Sequence, residues 1–391
     1  MLYNNGNDID TRGAPYGALE RKLMKLLHIA DLHLGKRVCE YPMLEDQRAV
    51  LREICDLARD EGVDAVLIAG DVYDRPVPPQ EATSMLSDFL CELSAAKIRV
   101  LLIAGNHDSA ERLDFCSDLL CAGGIHIMGE CRGEAETLTL EKDGVRVAVH
   151  MLSHARAVAL RPFLGEEIAS TEDALRAMIA KIDFEENTHH ILLAHLFATG
   201  AQSSESEQVV VGTVDGVPLS LFEPFDYVAL GHLHRPQTLG EKVRYAGSPL
   251  SYSFSEIGEP KSVSVIEIGE RVEISTRPLH PIHPMREVRG PLSALLAMPY
   301  SEDYIRAVVT DEDVPPDARV TLRTVFPNLM RFAVENSRTF VEEDAGEAEN
   351  VAMRDPLELF AEFYEQQNGI APDGARMEMM RELLCKKEAI E

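Results

Sequence analysis

The 391-residue sequence has no run of about 18 apolar residues, so no stretch reads as a membrane-spanning helix. It is short of positive charge: 38 Lys and Arg stand against 66 Asp and Glu, a formal net charge of −28. A chain this acidic does not hold nucleic acid by bulk electrostatics; such a role needs a local basic surface, bound metal ions or a basic partner. Paired cysteines are missing too. Cys39, Cys55, Cys91, Cys116, Cys121, Cys131 and Cys385 include no CxxC, and the closest two, Cys116 and Cys121, match no zinc spacing. They read as reduced, mostly buried thiols of a cytoplasmic protein. No internal repeat or low-complexity tract is visible, and 45% hydrophobic with 27% charged residues is ordinary globular composition. Residues 1–23 lack the apolar core of a secretory signal and are expected to be a disordered extension outside the fold.

From Met24 onward, apolar strands alternate with amphipathic helices. Leu26–Ala30, Val63–Ala69 and Ile98–Ala104 are short apolar runs suited to a sheet covered on both faces. Between them, Leu44–Asp60 and Pro79–Leu93 carry helical spacing, and Ser109 is placed to cap a helix running to about Leu120. This βαβαβ order implies parallel strands with right-handed crossovers. The texture then changes. Asp143-Gly144 signals a hairpin between Glu136–Leu140 and Val145–Met151, with strands expected at His190–Ala194, Phe225–Leu230, Arg244–Ala246, Ser262–Ile268 and Val272–Pro278. The second half is therefore expected to be largely antiparallel. A proline-marked break at His280–Pro284 opens a compact segment to about Asn336, with strand candidates Ile305–Thr310 and Ala318–Thr324. An acidic linker, 341–350, leads to two short amphipathic helices carrying Leu357, Phe360 and Tyr364, then Met377, Met380 and Leu384.

Five segments concentrate the chemistry: Asp31-Leu32-His33, Gly70-Asp71-Val72-Tyr73-Asp74, Gly105-Asn106-His107-Asp108, Ala194-His195 and Gly231-His232-Leu233-His234. Each begins where an apolar strand stops. In open α/β sheets, that carboxyl edge is where ligand sites form. Any one of these segments alone is an ordinary turn or a satisfied core histidine; five in order are not. Asp, His and Asn without cysteine suit Mn²⁺, Fe or Zn²⁺. Seven such donors exceed the needs of one ion and suit two, about 3.5–4 Å apart and bridged by a carboxylate, which together activate water and polarise a phosphoryl oxygen.

The ordered motifs Asp-x-His, Gly-Asp-x-x-Asp, Gly-Asn-His-Asp, a lone His and Gly-His-x-His resemble the calcineurin-like metallophosphoesterase superfamily over residues 24–278. Leu26–Lys36, Ala246-Gly247-Ser248-Pro249 and the late Asp355-Pro356-Leu357 helix narrow the resemblance to its SbcD-like nuclease branch. The resemblance implies an α/β fold of two packed mixed β-sheets flanked by helices (24–278), a small α+β capping domain (279–340) and a helical C-terminal tail (341–391). It assigns Asp31, His33 and His234 to one metal, Asn106, His195 and His232 to a second, and Asp71 to the bridge. The metals are two divalent ions, Mn²⁺ being the expected one. His107 then faces the scissile phosphate, and Asp108 orients it by accepting its ring N–H. Some relatives carry His where Asp74 stands, so Asp74 is expected instead to bond a neighbouring His or loop amide.

The implied activity is hydrolysis of phosphodiesters at DNA ends and hairpins, in DNA repair and recombination. The implied partners are DNA and an SbcC-like coiled-coil ATPase, with a homodimer of this chain inside a heterotetramer and no membrane. Lys36, Arg75 and Arg112 are candidate phosphate contacts. The tail helices, too short to be stable alone, are candidate ligands for the partner's coiled coil. Two alternatives stay open: a small-molecule phosphodiesterase or phosphatase of the same fold, and a catalytically dead scaffold.

Overall fold

The computed structural model describes residues 23–204 and 216–336, the backbone of 340–344 and scattered positions between 357 and 380. These divide into two compact units. The first holds residues 23–35, 47–204, 216–250 and 259–280; the second holds 36–46, 251–258 and the described residues from 281 onward.

In the first unit, β1 (Met24–Ile29), α1 (Leu44–Asp60, from Gln47 on), β2 (Ala65–Ala69), α2 (Gln80–Ala95), β3 (Arg99–Ile103) and β4 (Ile125–Met128) follow one another. Then come β5 (Glu136–Lys142), β6 (Val145–Leu152), α3 (Ala157–Leu164), α4 (Thr171–Ile179), β7 (His189–His195), β8 (Tyr227–Gly231), β9 (Gln237–Leu239), β10 (Val243–Tyr245), β11 (Ser262–Ile268) and β12 (Val272–Pro278). They form two six-stranded sheets, ordered β12-β11-β1-β2-β3-β4 and β9-β10-β8-β7-β6-β5. β1 to β4 are parallel, with Leu27 opposite Val66 and Val66 opposite Val100, while β11 joins β1 antiparallel.

β2 is apolar at every position because both of its faces are covered. Leu26, Leu67, Leu101 and Ile103 of the first sheet share one core with Val147, Val149, Met151, Ile191, Leu193, Val228 and Leu230 of the second. Burying each such side chain contributes about 1.5–3 kcal/mol, which fixes both sheets and hence their carboxyl edges. α1 matches the expected span, with Val50, Leu51, Ile54 and Ala58 buried and Glu45 and Asp46 in the positive first turn.

Three local expectations are corrected. The second sheet is not largely antiparallel: β6, β7, β8 and β10 run parallel, and only β5 and β9 turn back. The helix after Ser109 breaks into Ala110–Leu113 and Ser117–Leu120, because Cys116 between them is left-handed (φ 63°); the Ser109 side chain makes no capping bond. Ala318–Leu322 is helical rather than a strand, the turn starting just past Pro315-Pro316.

The second unit has a four-stranded sheet, Met285–Gly290, Tyr304–Val309, Leu329–Glu335 and Phe340–Asp344, parallel except for the last strand. Val288, Leu295, Ile305, Ala307, Leu322 and Phe326 form its core. Among the described residues, no helix is long and apolar enough to cross a membrane.

Candidate metal centre

Five strand ends, three from one sheet and two from the other, deliver the five polar segments: β1, β2 and β3, then β7 and β8. Gly231 pairs with His195 in register, which sets His232 against His195 with ring centroids 5.3 Å apart. The two sheets are tied at this edge by His195, whose Nδ1 donates to the Ala69 carbonyl at 2.8 Å. A carbonyl only accepts, so Nδ1 carries a proton in either charge state and Nε2 is the nitrogen left to face the other ligands. Gly70 makes this approach possible: a Cβ there would lie 2.5 Å from His195 Nδ1, on a backbone already at φ 81°.

The loops are bent harder than their residue types prefer. Asp31 (φ 54°), His33 (44°), Asp71 (49°) and His232 (99°) are all left-handed, at roughly 1–2 kcal/mol each. Backbone bonds hold them there: Asp31 N–H to Gly70 O at 3.1 Å, His33 N–H to Asp71 O at 2.9 Å and Leu34 N–H to Val72 O at 2.9 Å. His232 N–H donates to Asp31 Oδ1 at 2.9 Å, joining the first and last segments of the site.

Three sets of side chains each bring ligand atoms within 4.8 Å of one another: Asp31, His33 and His234; Asp31, Asp71 and His195; and His33, Asp74 and His107. His33 Nε2 meets His234 Nε2 at 3.0 Å. Asn106 Oδ1 lies 3.0 Å from both His195 Nε2 and His232 Nδ1. Asp71 Oδ2 stands between the groups, 3.7 Å from His33 Nε2 and 3.4 Å from His195 Nε2. These donors fit divalent cations. Among the described residues the buried Oδ2 of Asp31 has no hydrogen-bond partner, and His195 Nε2 faces two oxygens, Asn106 Oδ1 and Asp71 Oδ2. Electron-rich atoms crowded this way need a cation or a proton among them.

The charges answer to the same crowding. Burial raises Asp31 to about 7, against the pull of His195 and His234. Burial also opposes a charged Asp71 and a charged His195, but their mutual attraction outweighs it; Asp71 stays well below the carboxylate range and His195 rises to about 9. Burial, and then the charge of His195, push His232 down to about 3.

The structure corrects the assignment for Asp108. Its carboxylate does not take the His107 ring N–H; it accepts the backbone N–H groups of Val72, Tyr73 and Gly105 at 2.9–3.0 Å. The His107 ring turns instead to the Asp74 carbonyl, 2.9 Å from Nδ1. Asp74 also lies with Oδ1 3.6 Å from His33 Nδ1. Gln47 escaped the sequence reading. Its buried amide donates to the His33 carbonyl at 2.7 Å and accepts from Gly35 N–H at 3.0 Å, clamping the first loop. The signal was there: Gln47 sits three residues after Leu44 and four before Leu51, a polar residue on the apolar stripe of α1.

Of the candidate phosphate contacts, Arg75 is exposed with Nε 3.7 Å from Asp74 Oδ2, and Arg112 is exposed on the first short turn after Ser109. Lys36 belongs to the second unit, its Nζ 5.5 Å above the Tyr252 ring. Leu357, Met377 and Met380 are helical and half-buried; Phe360, Tyr364 and Leu384 lie outside the described residues.

The model of the calcineurin-like phosphoesterases matches residues 24–236, and that of the type 5 capsule protein repressor C-terminal domain matches residues 281–368. The SbcD chain of the nuclease SbcCD from Staphylococcus epidermidis is 29% identical over 321 residues, 78% of this chain and 84% of that protein. Among solved structures, a dimetal phosphatase from Danio rerio aligns with a TM-score of 0.39 and 14% identity, covering 66% of this chain and 96% of its own. TT1561 of Thermus thermophilus aligns with a TM-score of 0.39 and 15% identity, covering 66% and 99%. With the match over residues 24–236 spanning more than half its length, the chain belongs to the calcineurin-like phosphoesterase family.

Proposed function

We propose that this chain is the nuclease subunit of an SbcCD-like assembly, hydrolysing phosphodiester bonds at DNA ends and hairpins with two divalent metal ions, Mn²⁺ by preference. The observation that carries the reading is the position of Asp71 Oδ2 between His33 and His195, one oxygen facing both halves of the ligand set. The choice of DNA rests on similarity to a nuclease subunit across 78% of the chain. Asp31, His33 and His234 would hold one ion and Asn106, His195 and His232 the other, with Asp71 facing both sets. Such ions, when bound, supply Lewis acidity to the phosphoryl oxygen and lower the pKa of water.

The remaining work falls to His107. Its Nδ1–H is committed to the Asp74 carbonyl, which fixes the tautomer and leaves Nε2 to exchange a proton with the leaving oxygen. At −28 overall, the chain needs help to grip phosphates. An SbcC-like coiled-coil ATPase supplies that basic surface, docked by the helices that include Leu357, Met377 and Met380, with two copies of each subunit assembling in the cytoplasm.

The test is Mn²⁺-dependent cleavage of a linear duplex closed at one end by a hairpin, with the ATPase partner and ATP present. The expected result is cleavage by the wild type and none by His107→Gln. A metal-loaded wild type that leaves the duplex intact but hydrolyses bis-p-nitrophenyl phosphate would replace DNA with a small phosphodiester. A wild type that binds no metal would make it a scaffold.

A further inference from the structure

We propose that Lys261 is a positioning residue for the metal centre, acting through the turn that carries His234; the inference rests on the metal assignment made above. Lys261 is 5% exposed, an unusual place for an amine. Its Nζ donates to the His234 carbonyl at 3.0 Å and to Ser248 Oγ at 3.1 Å. Ser248 is fully buried, donates its backbone N–H to the same His234 carbonyl at 3.1 Å, and passes its hydroxyl proton to the Leu250 carbonyl at 2.8 Å. The Lys261 carbonyl in turn accepts Leu279 N–H at 2.8 Å, anchoring the stem at the start of β11.

The Ala246-Gly247-Ser248-Pro249 turn therefore has a purpose that its own side chains do not reveal. With Lys261 it grips the backbone of a metal-facing histidine from behind. His234 needs such a grip. Its Nε2 sits 3.0 Å from His33 Nε2, so the aim of the ring depends on where its backbone is held. A positive donor bonded to a carbonyl makes a strong, charge-assisted bond, and it removes the need for water at that depth. Outer-shell partners of this kind typically govern metal affinity by 10–100-fold.

Three full-length proteins decide the matter: wild type, Lys261→Met and Ser248→Ala. Each is titrated with Mn²⁺, followed by electron paramagnetic resonance of the free ion, and its thermal unfolding is followed by circular dichroism. Methionine keeps the apolar stem and leaves the His234 carbonyl its bond from Ser248 N–H. The expected result for Lys261→Met is a folded protein in which one of two Mn²⁺ sites weakens by about 10–100-fold while the other holds. Ser248→Ala, which removes one Lys261 acceptor, should weaken the same site by a smaller factor. Unchanged affinities in folded Lys261→Met would overturn the proposal. If Lys261→Met does not fold, unchanged affinities in Ser248→Ala overturn it instead. A wild type that binds no Mn²⁺ removes the metal assignment and this inference together. A wild type that binds two ions but leaves DNA uncut removes the nuclease reading alone, since the titration contains no substrate.

Discussion

The backbone N–H of His107 donates to Asp71 Oδ1 at 2.8 Å, so the carboxylate whose other oxygen faces His33 and His195 also fixes where the His107 loop begins. The proposed ligand set and the residue proposed to move the proton thereby meet at one side chain. Asp71→Asn keeps the shape but removes the charge that His33, His107 and His195 surround. Metal affinity should fall by at least about 100-fold, beyond the loss expected of an outer-shell partner. Elemental analysis after gel filtration should find fewer than two ions per chain. Two retained ions would show that Asp71 does not bridge.

His107 makes the complementary case. Its Nδ1 is bound to the Asp74 carbonyl, and it is outside both groups of three ligands assigned to the metals. His107→Gln should lower kcat by about 10²–10⁴, the usual worth of a positioned acid–base group, with Mn²⁺ stoichiometry unchanged. A variant that loses metal along with activity would make His107 a ligand rather than a proton carrier.

Most of this site was legible because each polar segment begins where an apolar strand ends, and strand ends are visible in a sequence. Direction was harder to see. Asp143-Gly144 announced one antiparallel pair, but β6, β7 and β8 are joined by long connections whose return path no local pattern records. Ala318–Thr324 read as a strand, yet Ala318–Leu322 is helical and Val320 is 68% exposed. The partner of His107 was missed for a different reason: it is a main-chain carbonyl, and a carbonyl belongs to every residue.

Asp108 offers a test of that correction. Its carboxylate accepts three backbone amides that belong to the Asp71 and Asn106 loops. Asp108→Ala orphans all three, at roughly 1–3 kcal/mol for each buried donor that finds no water. Unfolding in urea should show a loss of about 3 kcal/mol or more, and metal binding should weaken because both loops relax. If stability is untouched and kcat alone falls, Asp108 serves the His107 ring after all.

The last prediction concerns acid. His28, on β1, is fully buried and bonds through Nδ1 to the Tyr227 hydroxyl of β8 at 2.9 Å, spanning the two sheets. Burial, and then the nearby Arg244 charge, lower it to about 3. The unfolded chain binds that proton near 6.5, so the contribution to stability is complete above pH 6.5 and is lost as pH falls toward 3. The slope for one such group is about 1.4 kcal/mol per pH unit, so about 2 kcal/mol disappears between pH 6.5 and pH 5. Urea unfolding at pH 7.5 and pH 5.0, with a chelator present so that metal release adds nothing, measures the difference. In His28→Gln, which cannot take up the proton, the gap between the two pH values should shrink by about 2 kcal/mol. An equal gap in both proteins would mean that the acid sensitivity lies elsewhere, with His150 the next candidate, since burial and then His190 lower it to about 4.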